Sequence, residues 1–270
     1  MKKILIVMCF MMSFCLANHR LVVLDPASIE IIYMLDAGKS IKGIATLQHN
    51  NIYPEEQTKK LVSVGSFSNP SVEKILALKP SLVILSSYSI ALKEKLENLG
   101  IKTLYLHADR LDDMYANITT LAQILGKEKE GKALISKVKN ELDELKKEPL
   151  NKRAIFLFSS NPLMAFSQNS MMADILELLG ITNLTPESQI KRPIITSEYI
   201  IRQNPNLIII GMQANNIEAL ITQNPSLKAT QAFKENSIIL YENVHRLLRI
   251  SPTIPEHIRA FKKALQREKP

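Results

Sequence analysis

Tryptophan is absent from this chain of 270 residues, glycine occurs only eight times, and both cysteines, Cys9 and Cys15, fall within the first 17 positions. The shortage of glycine leaves no Gly-rich phosphate loop. Neither a G-x-S-x-G nucleophile elbow nor an H-E-x-x-H metal motif is present, which weighs against the common hydrolase chemistries. No dense basic run is interleaved with aromatics, so the formal charge of +8 is no signature of a nucleic-acid surface. What is there is an ordinary globular composition, 46% hydrophobic and 22% charged, which excludes a disordered or low-complexity chain.

Lys2 and Lys3 precede an apolar run from Ile4 to Leu16, closed by Ala17. That order of charge, apolar core and small residue is a secretory signal peptide over 1–17. The run is shorter than the roughly 20 apolar residues of a membrane span. Phe14 is too bulky for the position before a lipidated cysteine, so simple cleavage after Ala17 is preferred over lipidation at Cys15. The processed chain would then hold neither disulfides nor thiolate ligands and would rely on its core alone.

Downstream, strands alternate with helices. Strand-like runs are Arg20 to Leu24, Ile41 to Ala45, Leu82 to Leu85 and Thr103 to Leu106, then Ala154 to Phe158, Leu207 to Ile210 and Ile238 to Tyr241. Helical patterns cover Ser28 to Leu35, Ala91 to Leu99 and Met172 to Leu179. This alternation predicts α/β architecture with parallel sheets covered by helices. Between the halves, Leu111, Met114, Ile118, Leu121, Leu125, Leu134, Val138, Leu142 and Leu145 mark one helical face up to Pro149. Read as continuous, this helix is about 55 Å long and would link two lobes, with Gly126 as a place where it could break. The boundaries predicted are 18–110, 111–149 and 150–270.

One internal match stands out. Ser71-Val-Glu73 leads to Lys79-Pro80-Ser-Leu82, and Ser197-Glu198 leads to Asn204-Pro205-Asn-Leu207, with a constant offset of 125 residues. Each copy is a helix start carrying a Glu, a proline turn and a buried strand. A carboxylate in a first turn is favourable by about 0.3–1 kcal/mol through the helix dipole alone. The matched placement makes a shared role as good a reading as that local one. A glycosidase pair built from Glu73 and Glu198 is the enzymatic alternative, and would require the carboxyls to face each other across about 5–9.5 Å.

The segments Leu24-Asp-Pro-Ala-Ser28, Leu61 to Gly65 leading to Glu73, Leu78 to Ile84 and Ile175 to Asn183 together resemble class III substrate-binding proteins of ABC importers. This is the ferric-siderophore, haem and cobalamin family. Ser81 and Asn206 depart from the family's usual Asp before the strand. The resemblance implies a periplasmic, monomeric protein that is not an enzyme and has no cofactor of its own. It implies two Rossmann-like lobes, a ligand cleft between them, and delivery to an inner-membrane permease dimer with its ATPase. It also implies that Glu73 and Glu198 dock onto arginines of that permease.

Ligands of parallel sheets sit beyond the carboxyl ends of the strands. That rule nominates Tyr53, Tyr88, His107, Lys191, Arg192, Arg246 and Arg249 as ligand contacts. His49 and His245 are candidate metal ligands, and Tyr53 could join His245 in a clamp between lobes. Cations near the cleft would suit catecholate charge or propionates. The resulting expectation is a ferric siderophore or haem, ahead of cobalamin or a nickel chelate; the missing tryptophan argues against packing a corrin.

Overall fold

A computed structural model describes residues 19–47, 51–213 and 216–267. The leader over 1–17 and His49 lie outside the described residues. The first half runs β1 (Leu21–Val23), α1 (Pro26–Met34), β2 (Ile41–Thr46), α2 (Glu55–Thr58), β3 (Val62–Ser66), β4 (Asn69–Pro70), α3 (Val72–Ala77), β5 (Leu82–Leu85), α4 (Lys93–Asn98) and β6 (Thr103–Tyr105). Its strands form one sheet in the order β4-β3-β2-β1-β5-β6, parallel except for β4. Two helices follow, α5 (Asp113–Leu125) and α6 (Glu128–Lys146).

The second half runs β7 (Lys152–Ser160), β8 (Leu163–Ala165), α7 (Met171–Leu178), β9 (Ile181–Asn183), α8 (Ser197–Gln203), β10 (Leu207–Gln213), α9 (Ile217–Gln223), α10 (Gln231–Lys234), β11 (Ile238–Leu240), α11 (Val244–Leu247) and α12 (Ile254–Arg267). Its sheet has the order β11-β10-β7-β8, with β9 also paired to β7. The result is the α/β fold predicted from the alternation, in the two lobes that the resemblance implies.

Uninterrupted apolar runs become the central strands because both sheet faces are covered. In β1, Leu21 and Val23 turn toward one core and Val22 toward another. In β7, Ala154, Phe156 and Phe158 face the first of these cores while Ile155 and Leu157 face a third. The first core therefore reaches both lobes, and α1, α5, α6, α7 and α12 all contribute to it.

The long helix is not continuous. Gly126 adopts the left-handed conformation, φ 65°, and closes α5 with amide bonds to Ala122 and Gln123. The chain then folds back, so that the Lys139 ammonium of α6 lies 4.8 Å from the Tyr115 ring centroid of α5. The apolar face read as one stripe is two stripes facing a common core. A Cβ on Gly131 would stand 2.7 Å from the Ala122 Cβ, so the helices meet closely there. Gly131→Val is expected to cost about 1–3 kcal/mol by overpacking, checked by denaturant unfolding.

Candidate functional site

The two halves of the repeat adopt the same local structure. Ser71 and Thr196 are the N-caps of α3 and α8, accepting from the amides of Lys74 and Tyr199. Glu73 and Glu198 stand in the first turns, both exposed. Hydrogen bonds from its own backbone amide and from Thr196 hold the Glu198 carboxyl below the usual range. Each helix ends in a left-handed residue before its proline, Lys79 at φ 46° and Asn204 at φ 44°.

The parallel continues one residue after each proline. Ser81 Oγ accepts the Arg20 amide at 3.1 Å, and Asn206 Oδ1 accepts the Arg153 amide at 2.8 Å. Arg20 Nη2 donates to Leu78 O and Arg153 Nη2 to Gln203 O, so an arginine entering each central strand caps the carboxyl end of the Glu-bearing helix. The strands that follow, β5 and β10, each pair with the first strand of their own lobe. Glu73 and Glu198 are thus solvent-facing groups at matched positions on separate lobes.

At the carboxyl ends of the first sheet, the Phe67 and Tyr88 rings meet at 4.9 Å, and Tyr88 is 67% exposed. Tyr53, 52% exposed, stands in the loop after β2. From the second lobe, Arg192 lies over the Phe158 ring at 4.4 Å and Ile194 is 68% exposed. Arg246 is exposed on α11. Apolar and aromatic surface therefore alternates with cationic groups along these edges.

His107 and Lys191 are placed differently from the expectation of free ligand contacts. His107 Nε2 lies 2.7 Å from Asp109, whose other carboxylate oxygen pairs with Lys191 from the second lobe. Beside them Arg110 engages Asp174 of α7, with Nε 2.9 Å from Oδ2. The Asp109–Lys191 and Arg110–Asp174 pairs link the lobes near the surface, each contributing about 0–1 kcal/mol.

Arg249 does not line the cleft edge as expected. Its side chain is nearly buried, and its Nη1 donates to Glu30 at 2.6 Å. The reason is that Glu30 is itself buried, and an ionised carboxylate in a dry site demands a cation and full hydrogen bonding. The Nε2 atom of His245 is likewise shut in, without a hydrogen-bond partner, although the residue is only half-buried. Among the described residues no three His, Asp or Glu side chains converge as a metal site.

Burial, helped by Arg246 and Arg249, pushes His245 below its ordinary pKa. Burial does the same to His257, with Glu30 opposing and Arg246 adding to the effect. Below about pH 6.5 the unfolded chain therefore binds more protons at these groups than the folded one, and their contribution to stability falls as pH drops. Asp25 has the opposite sign, since burial raises its carboxyl and favours the folded state in acid. The readout is consequently a difference between proteins: His245→Gln/His257→Gln is expected to show a smaller loss of Tm between pH 7 and 5.5 than the parent.

Comparisons with known proteins agree with this geometry. The family model described as periplasmic binding protein matches residues 21–244. A vitamin B12-binding protein from Pectobacterium carotovorum subsp. carotovorum (strain PC1) is 28% identical over 211 residues, covering 76% of this chain and 75% of its own. A possible iron-binding (periplasmic solute-binding) protein from Staphylococcus epidermidis superposes with a TM-score of 0.81 at 21% identity, over 92% of this chain and 99% of its own. The periplasmic heme-binding protein HutB of Vibrio cholerae superposes at 0.76 with 20% identity, over 92% and 99%. The chain belongs to the periplasmic binding protein family, with the two-lobed fold of its class III members.

Proposed function

We propose that this protein captures an iron complex, a ferric siderophore or haem, in the periplasm and delivers it to an inner-membrane ABC permease dimer with its ATPase. It acts as a monomer, reaches the periplasm through its cleaved leader, and needs no cofactor of its own. The lobe boundaries proposed are 18–110 and 150–270, with 111–149 between them. The observation that carries the ligand reading is the pairing of aromatic surface with cations at the strand ends: Phe67 against Tyr88, and Arg192 over Phe158. A large ligand with apolar faces and anionic substituents suits that mixture. Tyr53, Tyr88, Arg192 and Arg246 are its direct contacts. Lys191 and His107 join them by exchanging Asp109 for ligand. His245 ligates metal only after a rotation that opens Nε2, and His49 is the second candidate.

Glu73 and Glu198 meet basic groups on the permease. Local fields within about 10 Å govern such docking, so the net positive charge is no obstacle. Because a helix joining parallel strands runs back against them, both glutamates lie at the same ends of the sheets as the ligand edges. A permease seated on them would cover the cleft mouth.

Equilibrium titration with haemin, a ferric catecholate and cyanocobalamin tests the reading. An iron complex is expected to bind tightly, and Arg192→Ala/Arg246→Ala to weaken it by roughly 10-fold or more, from charge-assisted bonds of about 1.5–3 kcal/mol. Tight cyanocobalamin binding with no response to either iron complex would establish the second reading, a cobalamin carrier. That reading is favoured by the vitamin B12-binding relatives, which match three-quarters of the chain.

A further inference from the structure

Glu30, on the middle of α1, is 1% exposed and surrounded by donors. Its Oε1 accepts from Arg249 Nη1 at 2.6 Å and from the Tyr53 amide at 3.3 Å. Its Oε2 accepts from the hydroxyls of Ser251 and Thr253. Three of these four donors come from the segment between α11 and α12, more than 200 residues further along the chain. A carboxylate needed only to satisfy its own helix would use local partners; this one joins an N-terminal helix to the C-terminal segment.

The same pair also holds a loop. Arg249 Nη1 donates to the Asn51 carbonyl at 2.9 Å, while Glu30 takes the Tyr53 amide. Between them, the Ile52 carbonyl accepts from Thr58 Oγ1 at 2.8 Å. Three successive residues thus have a backbone group tethered, the outer two by the buried pair. The Ile52 side chain is buried in the shared core, and the Tyr53 side chain is left standing at the cleft edge.

We propose that Glu30 and Arg249 are positioning residues, which fix the Tyr53 loop to the C-terminal segment so that the place of Tyr53 depends on how the two lobes are registered. Neither side chain touches the ligand; they act through the loop, and the consequence for affinity rests on the proposed cleft function. Burial keeps water from competing for the pair, so the tether holds where an exposed one would fray. Lobe displacement that moves residues 249–253 away from α1 would release the Asn51 carbonyl from Arg249 and leave the loop held by the Glu30 bond to the Tyr53 amide alone. Ligand capture and lobe registry are coupled through that release.

The test compares Arg249→Met with Glu30→Met/Arg249→Met. Removing both charges relieves the uncompensated burial of one, so the double variant is expected to regain most of the Tm lost by the single. Hydrogen exchange at the Tyr53 and Thr58 amides in ligand-free protein is expected to stay at least about tenfold faster than in the parent for both variants. Affinity for whichever of haemin, the ferric catecholate and cyanocobalamin the parent binds is expected to remain about tenfold weaker in the double. Recovery of exchange protection along with Tm would overturn the proposal and leave the pair a purely structural one. If the parent binds none of the three probes, the cleft reading fails, while exchange at Tyr53 still decides what the pair holds.

Discussion

Replacing Glu73 and Glu198 together by alanine is expected to leave ligand affinity within about twofold of the parent while uptake falls by roughly 100-fold. A carboxylate met by an arginine makes a charge-assisted contact of about 1.5–3 kcal/mol, and in the docking proposed above two such contacts would span several orders of magnitude in affinity. The folded state should lose little, because both groups are exposed and the Ser71 and Thr196 caps remain. What disappears locally is one first-turn carboxylate per helix, a small contribution because solvent screens it. Uptake of bound ligand by cells that depend on this chain, set beside a titration of the purified variant, separates the two effects. Loss of ligand binding in the purified double variant would sink the docking role and move the glutamates into the cleft. The single variants should lie between parent and double, since in the proposed docking each lobe would supply one contact.

Phe156→Ala should be the most damaging single truncation in the second lobe. Phe156 is fully buried on the central strand β7, with Phe166 edge-on at 5.1 Å and Phe261 stacked at 5.8 Å. Phe261 in turn meets Tyr241 at 4.7 Å, so one ring supports a chain of four that ties β7 and β11 to α12. A cavity at its centre is expected to cost about 3–5 kcal/mol. At about 2–4 °C per kcal/mol for a chain of this size, Tm would fall by roughly 6–20 °C. Phe156→Leu should lose less than half as much, because volume is better preserved. Thermal unfolding followed by circular dichroism measures both; equal losses for Ala and Leu would mean that ring geometry, and not volume, dominates.

Much of this fold could be read directly from the residues, and the places where that reading stopped have physical causes. Leu82–Leu85 is bounded as predicted because a fully buried parallel strand is a short apolar run between turn residues. The strands β8 and β9 escape the sequence reading although β1, β6 and β11 are equally short: Leu163–Ala165 is the antiparallel return of β7, outside the strand–helix alternation, and Ile181–Asn183 has polar residues at two of its three positions. The apolar stripe from Leu111 to Leu145 was seen, but a stripe facing one shared core looks the same whether the chain runs straight or turns back. Only the backbone angle at Gly126 separates the two cases. The Glu73 and Glu198 copies were legible because their caps, left-handed residues and prolines recur at one offset. The Glu30–Arg249 pair was not, because its partners are 219 residues apart and no local pattern connects them. Arg249 was therefore assigned to a ligand instead of to a buried carboxylate.

The turn at Gly126 changes what kind of motion the molecule allows. A single rod between lobes would have to bend, and bending is resisted along its whole length. Here α5 packs on α1 in the first lobe, while α6 packs on α7 and α12 in the second. The lobes are joined by two helices lying side by side, like a tongue in a groove. Displacement would then be a short slide of one against the other, limited by interlocked side chains and by the close contact of Gly131 with Ala122. Such shear proceeds in small steps of an ångström or two. The mouth would widen by dislocation along that seam, and a wedge at Gly131 would jam the sliding surfaces before it unfolded either lobe.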